Sequence, residues 1–123
     1  MEINQITHKI IGCAIEVHKN LGPGLLESAY EECLAYEFSM NGLNFFRQQG
    51  IPVQYKEIKL DLGFRMDFLV EKEIVVELKS SEGFNPVHEA QVLTYMKFAE
   101  KKYGLLINFN VLKLTDGLKR YIK

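Results

Sequence analysis

The segment from Asp61 to Lys79 constrains this chain more than any other stretch. Two runs rich in aromatic and branched apolar residues, Asp61–Val70 and Ile74–Lys79, flank the charged triplet Glu71-Lys72-Glu73. That pattern predicts an antiparallel β-hairpin. Alternate residues of a strand share a face, so Phe64, Met66, Phe68 and Val70 are expected on a core face with Ile74, Val76 and Leu78. The opposite face then presents Arg65, Asp67 and Leu69 beside Val75, Glu77 and Lys79. With the turn centred on Lys72, Asp67 falls directly across from Glu77. The second strand is too apolar for a sheet edge, which places it inside a sheet.

The flanking sequence supplies helices and further strands. Ile6, Ile10, Ala14, Val17 and Leu21 recur at helical spacing and stop at Gly22-Pro23-Gly24. A second helix is expected from about Leu25, with Leu26, Tyr30, Leu34 and Phe38 on one broad face, closing at Asn41-Gly42. Phe45–Leu60, interrupted by Gly50-Ile51-Pro52, reads as two extended pieces or a bulged strand. Asn85-Pro86 opens a third helix, expected to reach about Lys102, with asparagine as cap and proline at the first helical position. Leu105–Phe109 reads as a buried strand before a short tail. The expected class is α/β (α+β), in the order α-α-β-β-β-α-β: a small mixed sheet flanked by helices. At 123 residues without repeats or linker-like tracts, the chain reads as one domain spanning 1–123.

Composition excludes several functions. No apolar run reaches the length of a membrane span, and Met1–Gln5 has no basic head followed by an apolar stretch. Cys13 and Cys33 lie in helical patterns among apolar neighbours and are expected as free thiols of a cytoplasmic protein. Neither CxxC nor HxxxH spacing occurs, which argues against zinc. The formal net charge of −1 denies the chain bulk electrostatic affinity for nucleic acid. Such binding would need a local cationic patch, a metal or a partner.

The outer face of the hairpin carries the chemistry. Two carboxylates in cross-strand register destabilise a sheet, and a divalent cation between them reverses that sign. Lys79, two residues beyond Glu77 on the same face, can orient a water or hold a phosphate oxygen. A solvated face of surface ion pairs is the alternative reading. Glu27 falls in the first turn of the second helix and shares a side with Tyr30; as a bare pattern it is equally an N-terminal helix glutamate. His88, Gln91 and Tyr95 form a polar stripe on the third helix, which by itself is also compatible with an ordinary helix surface.

Gly24-Leu25-Leu26-Glu27-Ser28-Ala29-Tyr30 resembles the GxxExxY signature of a family of small bacterial and archaeal proteins within the PD-(D/E)xK nuclease superfamily. The resemblance extends through Val17–Gly24, Arg65-Met66-Asp67, Glu77-Leu78-Lys79, His88–Tyr95, Gly104–Phe109 and Asp116–Arg120. The proline-aspartate of the superfamily name is Met66-Asp67 here. The resemblance implies a restriction-endonuclease-like core in which Asp67 and Glu77 bind a metal, Glu27 adds a ligand and Lys79 completes the catalytic set. Gln91 and Tyr95 resemble the QxxxY pair of RecB-type nucleases that helps position substrate; Arg65 and Tyr30 are further candidates for substrate contact. The implied cofactor is Mg²⁺ or Mn²⁺, and the implied partner is nucleic acid, DNA rather than RNA, and not a membrane; separately, a domain this small would embrace a duplex better as a homodimer. A catalytically silent nuclease-fold module that binds nucleic acid or protein is the competing expectation.

Overall fold

The computed structural model describes residues 1–61 and 63–123; Leu62, inside the expected Asp61–Val70 run, lies outside the described residues. Helix α1 (Ile3–Leu21) buries Ile6, Ile10, Cys13, Ala14 and Val17 along one stripe. It ends at Gly22, whose φ of 69° is available to glycine at little steric cost. Helix α2 (Glu27–Met40) buries Tyr30, Leu34 and Phe38, each one turn from the next. Strand β1 (Phe45–Gly50) follows, then β2 (Val53–Tyr55) and β3 (Ile58–Leu60), which pair only with each other as a small hairpin. The expected hairpin is β4 (Arg65–Val70) and β5 (Ile74–Lys79). Helix α3 (Pro86–Phe98), β6 (Tyr103–Asn108), a short 3-10 turn at Leu114–Gly117 and β7 (Leu118–Ile122) complete the described chain.

The main sheet runs β1-β4-β5-β6-β7, parallel only between β5 and β6. Strand β5 is central, as its apolar content requires. The expected order of helices and strands is present, and the architecture is that of a restriction-endonuclease-like α/β core. The region 45–60 resolves into β1 plus the separate hairpin, and the tail supplies a fifth strand. Helix α3 stops at Phe98 rather than Lys102: Glu100 takes a φ of 57°, and the Lys101 N–H bonds back to the Met96 carbonyl. Such a reversal satisfies the last helical carbonyls and prevents another turn.

Both faces of the sheet are covered. Helices α1 and α2 close over Phe68, Val70, Ile74, Val76 and Leu78, where Phe38, Phe45 and Phe68 meet edge to face. Helix α3 closes the other side, packing Val92 and Met96 over Leu69, Val75 and Leu106. Gly104 permits this contact, since a Cβ there would fall 2.4 Å from the Met96 sulfur. The face expected to be polar is therefore apolar over most of its area and polar only at one end.

The expected alternation along β4 is also corrected. Phe64 is 38% exposed, and Met66 is buried on the α3 side with Ile51 and Leu69, not with Phe68. Pairing of β1 with β4 runs Arg47↔Phe68, then Gln49↔Met66, and Gln48 between them takes a left-handed φ of 52°. The side-chain alternation slips by one residue at this irregularity. Asp67 sits at the slip. Among the described residues no helix is long and apolar enough to cross a membrane. Both cysteines are free thiols, and burial pushes the Cys13 thiol up to about 11.

Candidate functional site

The β4–β5 ladder is regular from Val70↔Ile74 to Phe68↔Val76 and stops there. Beyond it, side chains replace the backbone ladder. The Asp67 N–H donates to Glu77 Oε2 at 2.6 Å, and the Leu78 N–H donates to Asp67 Oδ2 at 2.8 Å. Each carboxylate thus caps an amide of the opposite strand, and the two acids are held side by side where the strands part. The expected juxtaposition of Asp67 and Glu77 is present, with Lys79 at the end of the same strand.

The electrostatics follow from this placement. Glu77 is 3% exposed, and its carboxyl is pushed up to about 8, first by burial and then by repulsion from Asp67. The bond from the Asp67 amide and the charge of Lys79 work against that rise, while Glu27 adds to it. Asp67 is raised as well, chiefly by burial, against the bond from Leu78; Glu31 raises it further, and Gln48 and Lys79 oppose. A buried and a half-buried acid that both resist ionisation form a site short of positive charge.

Glu27 does not join them closely. It is exposed at the first turn of α2, and among the described residues no three His, Cys, Asp or Glu side chains are grouped to hold a metal. Among the described residues the three expected carboxylates are not gathered as one group, although the charge of Glu27 reaches Glu77 and raises it. The physical reason is that Asp67 and Glu77 are drawn to backbone amides, while Glu27 extends from a helix terminus into solvent. The donors nevertheless fit a hard divalent cation in kind, being carboxylate oxygens deficient in countercharge. On α3, Gln91 Oε1 is buried without a hydrogen-bond partner among the described residues. Its amide nitrogen donates to the Tyr95 hydroxyl at 2.9 Å, and burial together with the charges of Glu77 and Asp67 raises the Tyr95 phenol. The Gln91–Tyr95 pair thus faces the acids from α3.

Two residues near the acids escaped the sequence reading. Gln48 donates to both Glu31 and Asp67, linking helix α2 to β4 through β1. Glu31 is held from the other side by Arg47 Nε at 2.7 Å. A signal for Glu31 existed, because it follows Glu27 by one helical turn on the same face. Nothing in the sequence marks Gln48, whose position depends on the irregular backbone opposite Asp67.

Tyr30 and Arg65 have different surroundings. Tyr30 has no exposed surface. Its hydroxyl donates to the Gly22 carbonyl at 2.6 Å and accepts from the Leu25 N–H at 3.1 Å, and its ring stacks on Phe109 at 4.4 Å. This tyrosine fastens the Gly22–Gly24 loop instead of facing outward. Ser80 adds a tether, donating to the Leu25 carbonyl at 2.6 Å, and Asn108 bonds to Ser81, Gly83 and Asn110. The loops around the acids are therefore braced internally. Tyr30→Phe is expected to cost about 1–2 kcal/mol, by removing the part-buried hydrogen bonds to the Gly22 carbonyl and the Leu25 amide; urea denaturation reads this directly, and an unchanged midpoint would remove the bracing role. Arg65 is exposed at the start of β4, two residues before Asp67.

Comparison with known proteins agrees with the geometry. No curated protein and no solved structure gives a match. A family model described as the PD-(D/E)XK nuclease superfamily matches residues 4–121. With nearly the whole chain matched and two acids and a lysine gathered where β4 and β5 diverge, this protein belongs to the PD-(D/E)XK nuclease superfamily.

Proposed function

We propose that this chain is a metal-dependent nuclease of the GxxExxY type that hydrolyses phosphodiester bonds, in DNA rather than RNA. The observation that carries the reading is the reciprocal capping of Asp67 and Glu77 by opposite strands, with Lys79 following on β5. Asp67 and Glu77 would hold Mg²⁺ or Mn²⁺, with Glu27 recruited from the start of α2. When bound, such an ion supplies an acidified water and neutralises charge building on the phosphate. Lys79 orients the attacking water or steadies a non-bridging oxygen. Arg65, exposed two residues before Asp67, holds a neighbouring phosphate. Gln91 and Tyr95 contact the substrate from α3, and their resemblance to the RecB-type pair supports DNA.

A second reading has its own support: the acids already accept from backbone amides, and among the described residues no three-acid group is assembled. A nuclease fold that binds without turnover is consistent with that arrangement. Calorimetric titration with Mn²⁺ separates the two. The enzyme reading expects binding that Asp67→Asn abolishes, together with Mn²⁺-dependent cutting of single- or double-stranded DNA. Absence of Mn²⁺ binding by the wild-type chain would leave the binding module as the function.

A further inference from the structure

A groove of about 1080 Å³ runs between the β2–β3 hairpin and the C-terminal end of α3. Its volume is at the top of the range for small-molecule pockets, which also enclose their ligands on most sides. This groove is partly open to solvent, as a polymer requires. Among the described residues, Lys59, Arg65, Lys97 and Lys101 line it with two acids, Asp61 and Glu100. On a chain of net charge −1 that is a local concentration of positive charge. The floor is apolar, formed by Ile51, Met66 and Leu69, and Phe64 and Phe98 also line it. Lys97 Nζ lies 5.4 Å from the Phe98 ring centre, so a cation and a π-face stand together in one wall.

Along β1 and β4 the groove comes within one residue of the acidic site. Gln49 and Met66 line it, and they are the chain neighbours of Gln48 and Asp67. We propose that this groove is the track of a single nucleic-acid strand, with phosphates on the lysine rim and unpaired bases over the apolar floor, leading the strand to Asp67. The assignment deepens the nuclease reading and rests on it only for the end of the track. A duplex keeps its base faces stacked inside and offers a protein surface mainly phosphate, so it has no use for an apolar floor. A single strand uses both features: cations follow its backbone, and exposed rings and apolar side chains receive its bases.

The test is fluorescence anisotropy of the full chain in EDTA, using labelled oligothymidylate and oligouridylate of about 15 nucleotides, a length matched to strand-binding sites, and a duplex of equal length. Wild type is expected to bind a single strand more tightly than the duplex, with the thymidylate and uridylate arms assigning the sugar. The triple variant Lys59→Ala, Lys97→Ala, Lys101→Ala is expected to lose at least about tenfold in affinity. Its plot of log affinity against log salt should be shallower by about 2, near 0.7 for each lost phosphate contact. Lys59→Glu alone, on an exposed strand of the small hairpin, gives the same direction of change if the triple variant folds poorly. Undiminished single-strand binding by Lys59→Glu or by a folded triple variant overturns the track, as does equal or tighter binding of duplex. Cleavage by wild type is followed in parallel with Mn²⁺. A chain that cuts while its lysine variants bind normally loses the groove and keeps the nuclease. A chain that binds through the lysines and never cuts keeps the groove and loses the nuclease.

Discussion

Lys79→Ala is expected to lower divalent-metal-dependent cleavage by about 10²–10³-fold, the usual cost of removing one preorganised donor from a developing negative charge. Stability should change little. Lys79 makes its sheet contacts through the backbone, pairing with Asn108 and accepting from the Phe109 N–H at 2.9 Å. The Asp67–Glu77 pair also stays in place, because its bonds come from backbone amides. The variant should therefore still bind Mn²⁺ in the calorimeter while losing turnover, which separates it from Asp67→Asn. Single-turnover cleavage at saturating protein is the measurement. Equal rates for wild type and Lys79→Ala would remove Lys79 from the chemistry and, with it, the proposed mechanism.

In metal-free protein the larger effect is on folding. The Glu77 carboxyl sits at about 8 in the folded chain against an ordinary 4.5. The folded state thus holds a proton that the unfolded state has released throughout that interval. By linkage, stability is highest below pH 4.5 for this group, falls as pH rises between about 4.5 and 8, and levels above it. The full effect is at most roughly 4–5 kcal/mol, since each pH unit of displacement is worth about 1.4 kcal/mol. Glu77→Gln keeps an oxygen for the Asp67 amide and carries no charge. In EDTA at alkaline pH it should be more stable than wild type by a few kcal/mol, with a flatter pH profile. Urea titrations of both proteins on either side of neutrality check this. A wild type that gains stability as pH rises through neutrality, or a Gln variant no more stable in alkali, would contradict the buried-acid account. Mg²⁺ should recover part of the loss in wild type alone, because cation and proton compete for the same oxygens.

These two variants test different consequences of one arrangement. Lys79 reports on what the site does to a substrate, whereas Glu77 reports on what it costs the fold to keep two acids out of water. An active enzyme that also shows the alkaline instability would tie both to the same pair.

Local chemistry in the sequence was enough for the principal elements. The apolar periodicity of α1, the glycine-proline break, the Asn85 cap with Val87 N–H at 2.8 Å, and the hairpin that holds Asp67 beside Glu77 all depend on residues near one another in the chain. The period of a helix or strand acts through neighbours, so it can be read without knowing the rest of the fold. Tertiary structure decided the remainder. It moved Met66 to the α3 side through an irregularity in β1, linked Glu31 to Asp67 through Gln48, kept Glu27 apart from the two acids, and drew β7 from an indistinct tail. Each of these depends on contacts between segments distant in sequence, where packing and desolvation select the outcome and no short-range pattern encodes it.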